Sequence, residues 1–180
     1  MNRLEEFVET YKVEREGVPL ITAIDLADLK STGYSAADLL NYIANRHNLL
    51  LHGSRENISE YLKPNQENNI LASCSANAAI MKAIISNRGL RGPGLEYPYF
   101  IDDENPFIVK ISGMNKDTIN ERGFVYVIAG KDRRRFENEP KGSWQYIKKD
   151  SPVPFVAKIE VLRDDLIMPV FDTDNHEWIQ

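Results

Sequence analysis

A single cysteine, Cys74, stands in a chain of 180 residues. It has no intramolecular disulfide partner, and without a second thiol the common cysteine-based zinc sites are excluded. A reducing compartment is the natural expectation. Positive charge is also short: 22 Lys and Arg face 27 Asp and Glu, for a net of −5. Domains that grip nucleic acid by counterion release carry the opposite balance, so general nucleic-acid binding is not expected. No window approaches the run of about 18 apolar residues that a membrane span needs, and no apolar stretch follows Met1–Glu6. A soluble, cytoplasmic protein without a membrane partner is therefore expected.

Familiar catalytic signatures are missing as well. There is no Gly-x-Ser-x-Gly, no Walker loop and no His-Glu-x-x-His. The glycine-rich run Gly89–Gly94 follows a helical stretch rather than a strand, and Pro93 spoils it as a phosphate nest. Asp172-Thr173-Asp174-Asn175-His176 offers metal-ligand atoms but lacks the turn glycine and closing acidic ligand of a calcium loop, so it reads as a polar tail and no metal site is expected.

What is present suffices for a core: 42% of residues are apolar and 9% aromatic. From Leu4 to Ala44 the apolar spacing is helical, in three pieces broken at Gly17-Val18-Pro19 and Ser31-Thr32-Gly33. Asp25 and Ser35 are the expected N-caps of the second and third pieces. Acidic residues outnumber basic ones over Asp25–Arg46, so this segment reads as packing helices rather than a DNA-reading pair.

Beyond Asn48 the pattern changes. Leu49-Leu50-Leu51 reads as a buried strand ending on His52-Gly53-Ser54, with Ser54 capping a helix over Arg55–Leu62. Asn69–Ala72 reads as a second strand, and Ser73 or Ser75 caps a helix running to about Ser86, lined by Ala76, Ala78, Ala79 and Ala83. Strand patterns then recur at Phe107–Ser112, Gly123–Ile128, Ser143–Lys148 and Val153–Leu162, and Asp164-Asp165 suits the start of a helical turn. Helices followed by strands imply an α+β fold.

Of the three histidines, His52 alone closes an apolar strand beside a glycine, where a ligand can approach the backbone closely. The same placement also suits a packing histidine. Leu50-Leu51-His52-Gly53-Ser54-Arg55-Glu56-Asn57-Ile58 resembles the first signature of the ADP-ribosyltransferase superfamily, in its diphtheria-toxin-like and poly(ADP-ribose) polymerase-like branch. There, a strand ends in His-Gly-Ser or His-Gly-Thr. The strand ending in Ala72-Ser73 before an alanine-rich helix is similar to the family's tyrosine-containing strand and its small-residue helix. Trp144-Gln145-Tyr146-Ile147 is similar to the strand that carries the family's catalytic glutamate. The resemblance covers roughly residues 48 to 165. It implies an ADP-ribosyltransferase-like core of two small packed antiparallel sheets with flanking helices over 48–180, preceded by an N-terminal helical extension over 1–47.

Position by position, the resemblance implies NAD as substrate and cofactor, with an acceptor such as a protein, or water, receiving ADP-ribose. His52 would hydrogen-bond a ribose hydroxyl next to nicotinamide, Gly53 would offer its backbone to the carboxamide, and Ser54 and Arg55 would line the same wall or fix the following helix. The second strand would contribute Leu71 and Ser73; the family's stacking tyrosine would fall at Ile70 or Leu71, neither of which stacks as an aromatic ring does, though Leu71 would still cover a nicotinamide face. Gln145 falls at the catalytic glutamate position, with Glu137 or Glu139 as the alternative carboxylates. A glutamine there accepts a hydrogen bond but carries no charge. The loss of that charge would cost on the order of 3 kcal/mol of transition-state stabilisation, about a hundredfold in rate. The alternative is a catalytically degenerate domain that binds a nucleotide or a protein.

The charge deficit is uneven. Residues 81–149 hold 13 basic and 9 acidic side chains, while 1–80 hold 7 and 11, and 150–180 hold 2 and 7. A basic middle that includes Lys131–Arg135 and Lys148-Lys149 suits an anionic cofactor such as NAD better than it suits a long polyanion.

Overall fold

The computed structural model describes residues 3–13, 20–65, 69–85, 95–96, 109–115, 118–129, 136–138, 145–149 and 151–179. The chain opens with α1 (Arg3–Val13), β1 (Leu20–Ile21), α2 (Ala23–Ser31) and α3 (Ala36–His47), followed by β2 (Leu50–Ser54), β3 (Tyr61–Leu62), β4 (Asn69–Ser73) and α4 (Ala76–Ile84). The second half holds β5 (Leu95–Glu96), β6 (Val109–Ile111), β7 (Arg122–Ile128), β8 (Glu137–Asn138), β9 (Gln145–Lys149), β10 (Val153–Pro154) and β11 (Ala157–Leu162). A 3-10 turn at Arg163–Asp165, β12 (Val170–Asp172) and β13 (Glu177–Trp178) complete it. The fold is α+β.

The strands are not divided into two small sheets as expected. Seven form one sheet in the order β1-β11-β7-β2-β4-β9-β8, antiparallel except where β1 runs parallel to β11. A four-stranded sheet (β13-β12-β6-β5) and the β3–β10 ribbon flank it. Strand alternation explains how β7 can be buried on both sides. Val125 and Val127 join the core under the helices, with Leu26, Leu39, Leu40 and Ile80. Phe124, Tyr126 and Ile128 face the opposite core, with Leu50, Ile70, Val153 and Phe155.

The N-terminal helices share the first of these cores rather than standing apart from it. Their caps are local. Ser35 forms a reciprocal capping box with Asp38, as its sequence position suggests. For α2 the cap is Thr22, not Asp25: the Thr22 hydroxyl accepts from the Asp25 amide, and the Asp25 carboxylate accepts from Thr22, which makes Asp25 the third helical residue. Ser75, of the two candidates, caps α4. The single strand expected at Val153–Leu162 is two: β10 pairs with β3, whereas β11, which begins at Ala157 opposite Val127, pairs with β7.

Three long-range ties fasten the N-terminal segment to the far end of the chain. β1 lies beside β11, the Ala23 amide donates to Glu160 at 3.1 Å, and Lys30 pairs at 2.6 Å with the buried Asp165. Gly89–Gly94 and Lys131–Arg135 lie outside the described residues. Among the described residues no helix is long and apolar enough to cross a membrane.

Candidate functional site

β2 and β4 are paired only at Leu51 and Ser73, whereas β2 pairs with β7 along its whole length and β4 pairs with β9 along its own. Beyond Leu51 the two strands splay, and a cleft of about 690 Å³ opens in the gap. Its walls are the β2 segment from Leu51 to Ser54, the β4 residues Leu71 to Ser73, the α4 residues Ala78, Ala79 and Lys82, and the loop running from Glu56 to Tyr61.

His52 sits in mid-strand, opposite Tyr126 of β7, rather than at the strand end expected from the sequence. Its half-buried ring bridges the splay: Nδ1 lies 2.6 Å from the Leu71 carbonyl oxygen. A carbonyl only accepts, so Nδ1 carries the proton and the neutral ring presents Nε2 as an acceptor. Loss of solvation on burial pushes the His52 pKa below its ordinary value of 6.5; the Leu71 carbonyl opposes this, and the Lys82 ammonium adds to it.

Gly53 has a different role from the one expected. A Cβ there would meet the Ala79 carbonyl oxygen at 1.9 Å, so the missing side chain makes room for α4 rather than for a ligand. Gly123 on β7 does the same beneath Ala83, at 2.2 Å. The alanine-rich face of α4 and these two glycines form one backbone-to-backbone contact.

The expected helix over Arg55–Leu62 is absent, and tertiary hydrogen bonds explain why. The Ser54 hydroxyl accepts from the Glu56 amide in a tight turn. The fully buried Tyr126 then claims the backbone beyond it: its hydroxyl donates to the Glu56 carbonyl and accepts from the Ile58 amide, each at 2.6 Å. Lys158 adds bonds to Asn57 Oδ1 and the Ile58 carbonyl. An eight-residue helix is marginal on its own and gives way to these partners. Tyr126, which sequence reasoning missed, thus holds one wall of the cleft. Its buried position inside a β-branched run looked like ordinary core.

Tyr126→Phe should keep the packing against Phe155, whose ring lies 4.7 Å away edge to face, and leave the Ile58 amide and Glu56 carbonyl without this partner. The expected result is a loss of about 1–3 kcal/mol in urea unfolding. Faster amide exchange at Ile58 should accompany it. Unchanged exchange there would show that the loop's own bonds, among them that from the Ile58 amide to the Glu56 carbonyl, and the Lys158 contacts hold it without the Tyr126 hydroxyl.

The site residues picked out by sequence divide clearly. His52, Gly53, Ser54, Leu71 and Ser73 line the cleft; Arg55 does not. The Ser73 hydroxyl accepts from the Ser75 amide and helps turn the chain into α4. Gln145 begins β9, with its Cα paired to Ser73, and Glu137 begins β8, paired to Ile147. Glu139 lies outside the described residues. No family model, curated protein or solved structure matches this chain. Among the described residues no group of His, Cys, Asp or Glu could hold a metal. At the C-terminus Asp172 accepts from the Asp174 and Asn175 amides and serves a turn, while Asp174 accepts from the Gly113 amide, 61 residues away, and ties the turn to the chain after β6.

Proposed function

We propose that this is an ADP-ribosyltransferase-like domain whose cleft binds a nucleotide of the NAD type. The observation that supports this reading is a single row across the sheet. Leu51, Ser73 and Gln145 are Cα partners on three adjacent strands, β2, β4 and β9, and the row runs through all three segments that carry the resemblance. His52 follows Leu51 at the splay and presents Nε2, an acceptor suited to a ribose hydroxyl. The cleft volume of about 690 Å³ is in the range of small-molecule sites.

The two versions of the reading differ in chemistry. In the transferase, nicotinamide leaves, the ribose carbon becomes oxocarbenium-like, and ADP-ribose passes to an acceptor or to water. A carboxylate poised at that carbon would favour the developing charge. With Gln145 at that position and Leu71 in place of a stacking tyrosine, this chain suits binding better than fast turnover.

Titration calorimetry with NAD and ADP-ribose, paired with an assay for nicotinamide release, tests both versions. The expected result is saturable nucleotide binding with slow release, and a rise of about a hundredfold in release for Gln145→Glu. Failure of both nucleotides to bind the folded protein would sink the reading. Fast release by the unaltered chain would make it an active transferase.

A further inference from the structure

Five large apolar side chains among the described residues are exposed, and of these only Tyr61 lines the cleft. The residue is 50% exposed, and among the described residues its ring has no aromatic partner. The backbone beneath it is fixed, since Tyr61 and Leu62 form β3 and pair with Pro154 and Val153 of β10. Leu62 is buried in the core that holds Tyr126 and Phe155. Strand alternation then turns Tyr61 and Lys63 away from that core, and both line the cleft. Lys63 is exposed, and among the described residues it has no ion pair. A flat ring and an ammonium group side by side match the two chemical parts of a nucleotide: the base stacks on the ring and the phosphates pair with the cation. Glu56 and Glu60 also line the cleft and are exposed, so this end is no general anion trap and the ring has to act with the charge.

Resting on the nucleotide reading above, which puts the ribose beside nicotinamide at His52, we propose that Tyr61 and Lys63 form a second subsite of the cleft, where the adenine base stacks on the Tyr61 ring and the pyrophosphate lies beside Lys63. The rest of a dinucleotide has to leave the His52 end along a wall of the cleft, and Tyr61 is the one aromatic side chain besides His52 that lines it. The ligand is then held at both ends, by a hydrogen bond at His52 and by stacking at Tyr61. ADP-ribose carries both recognised parts and needs no nicotinamide to bind.

Titration calorimetry with ADP-ribose on the unaltered protein, Tyr61→Phe, Tyr61→Ala and Lys63→Gln tests this, with circular dichroism and melting as the folding control. Tyr61→Phe keeps the stacking face and should bind as the unaltered protein does. Tyr61→Ala should bind about tenfold more weakly. Lys63→Gln should lose affinity severalfold, and its binding should weaken less steeply with added salt than that of the unaltered protein. Tyr61→Trp gives a second readout that does not depend on how well Tyr61→Ala folds. Its added indole emission should be quenched saturably by ADP-ribose over the concentrations at which calorimetry shows binding. Constant emission during binding, or full affinity in Tyr61→Ala, would overturn the base subsite. Unchanged affinity and salt response in Lys63→Gln would overturn its phosphate arm. Each of these results leaves the nucleotide reading intact. If neither ADP-ribose nor NAD binds the folded protein, that reading falls and the subsite falls with it.

Discussion

Gly53→Ala should destabilise the protein by about 3 kcal/mol or more, at or beyond the upper end of ordinary overpacking. A methyl group at this position would sit 1.9 Å from the Ala79 carbonyl oxygen and 2.9 Å from the Ala83 amide nitrogen. Both are backbone atoms of α4, so no flexible side chain can swing aside, and the helix itself must lift from the sheet. Ala76, Ala79, Ile80, Ala83 and Ile84 are all buried beneath or within that helix, and lifting it would loosen many contacts at once. For a domain whose whole stability is typically about 5–15 kcal/mol, the loss is a large share. Gly123→Ala should act in the same direction, since its Cβ would lie 2.2 Å from the Ala83 carbonyl. Because both methyls push one helix away from one sheet, the double variant should cost less than the sum of the singles, as coupled sites do. Urea unfolding of the three variants measures this. Full additivity would show that the sheet yields separately at each glycine.

The second large effect concerns His52. His52→Ala removes the Nε2 acceptor from the cleft and leaves the Leu71 carbonyl without its imidazole partner. Affinity for ADP-ribose should fall about tenfold or more, the size of a lost ligand hydrogen bond together with a disturbed wall. The same residue sets a pH dependence. Its folded-state pKa lies below the ordinary 6.5, so as pH falls through 6.5 the unfolded chain takes up a proton that the folded chain still refuses. Stability contributed by neutral His52 is therefore present above pH 6.5 and declines as pH drops toward the lowered folded value. Chemical unfolding measured between pH 8 and pH 5 should show this loss in the unaltered protein, with a smaller loss in His52→Ala. Identical pH profiles would mean that other groups govern the acid limb.

What could be read in the sequence, and what could not, follows the range of the interactions concerned. The Ser35 cap, the strand at Gly123–Ile128 and the alanine-rich helix depend on neighbours within a few residues, and local pattern was enough to find them. The helix expected after Ser54 failed because its competitor, the Tyr126 hydroxyl, lies 68 residues beyond the Ile58 amide it accepts from. Gly53 was legible as a special position but not for its reason. Whether a glycine admits a ligand or a helix depends on which face of the strand is covered, and no local signal says that α4 folds back over β2. The splay between β2 and β4 likewise arises from tertiary geometry. His52 still drew attention, because a lone imidazole after three leucines is unusual in a buried strand.

The ties between the two ends of the chain bear on how the protein reaches this state. The Ala23 amide and its Glu160 acceptor are 137 residues apart, and β1 completes its ladder only against Lys158 and Ile159. During synthesis at about 5–20 residues per second, the N-terminal helices would wait on the order of ten seconds for the strand that closes their side of the core. Contacts this distant in sequence also slow refolding of the complete chain, because loop closure must precede the packing that rewards it. Leu26, Leu39 and Leu40, wholly buried at the end, are the surfaces left open in the interval. This molecule should therefore refold slowly and be most prone to aggregate before its last strands arrive.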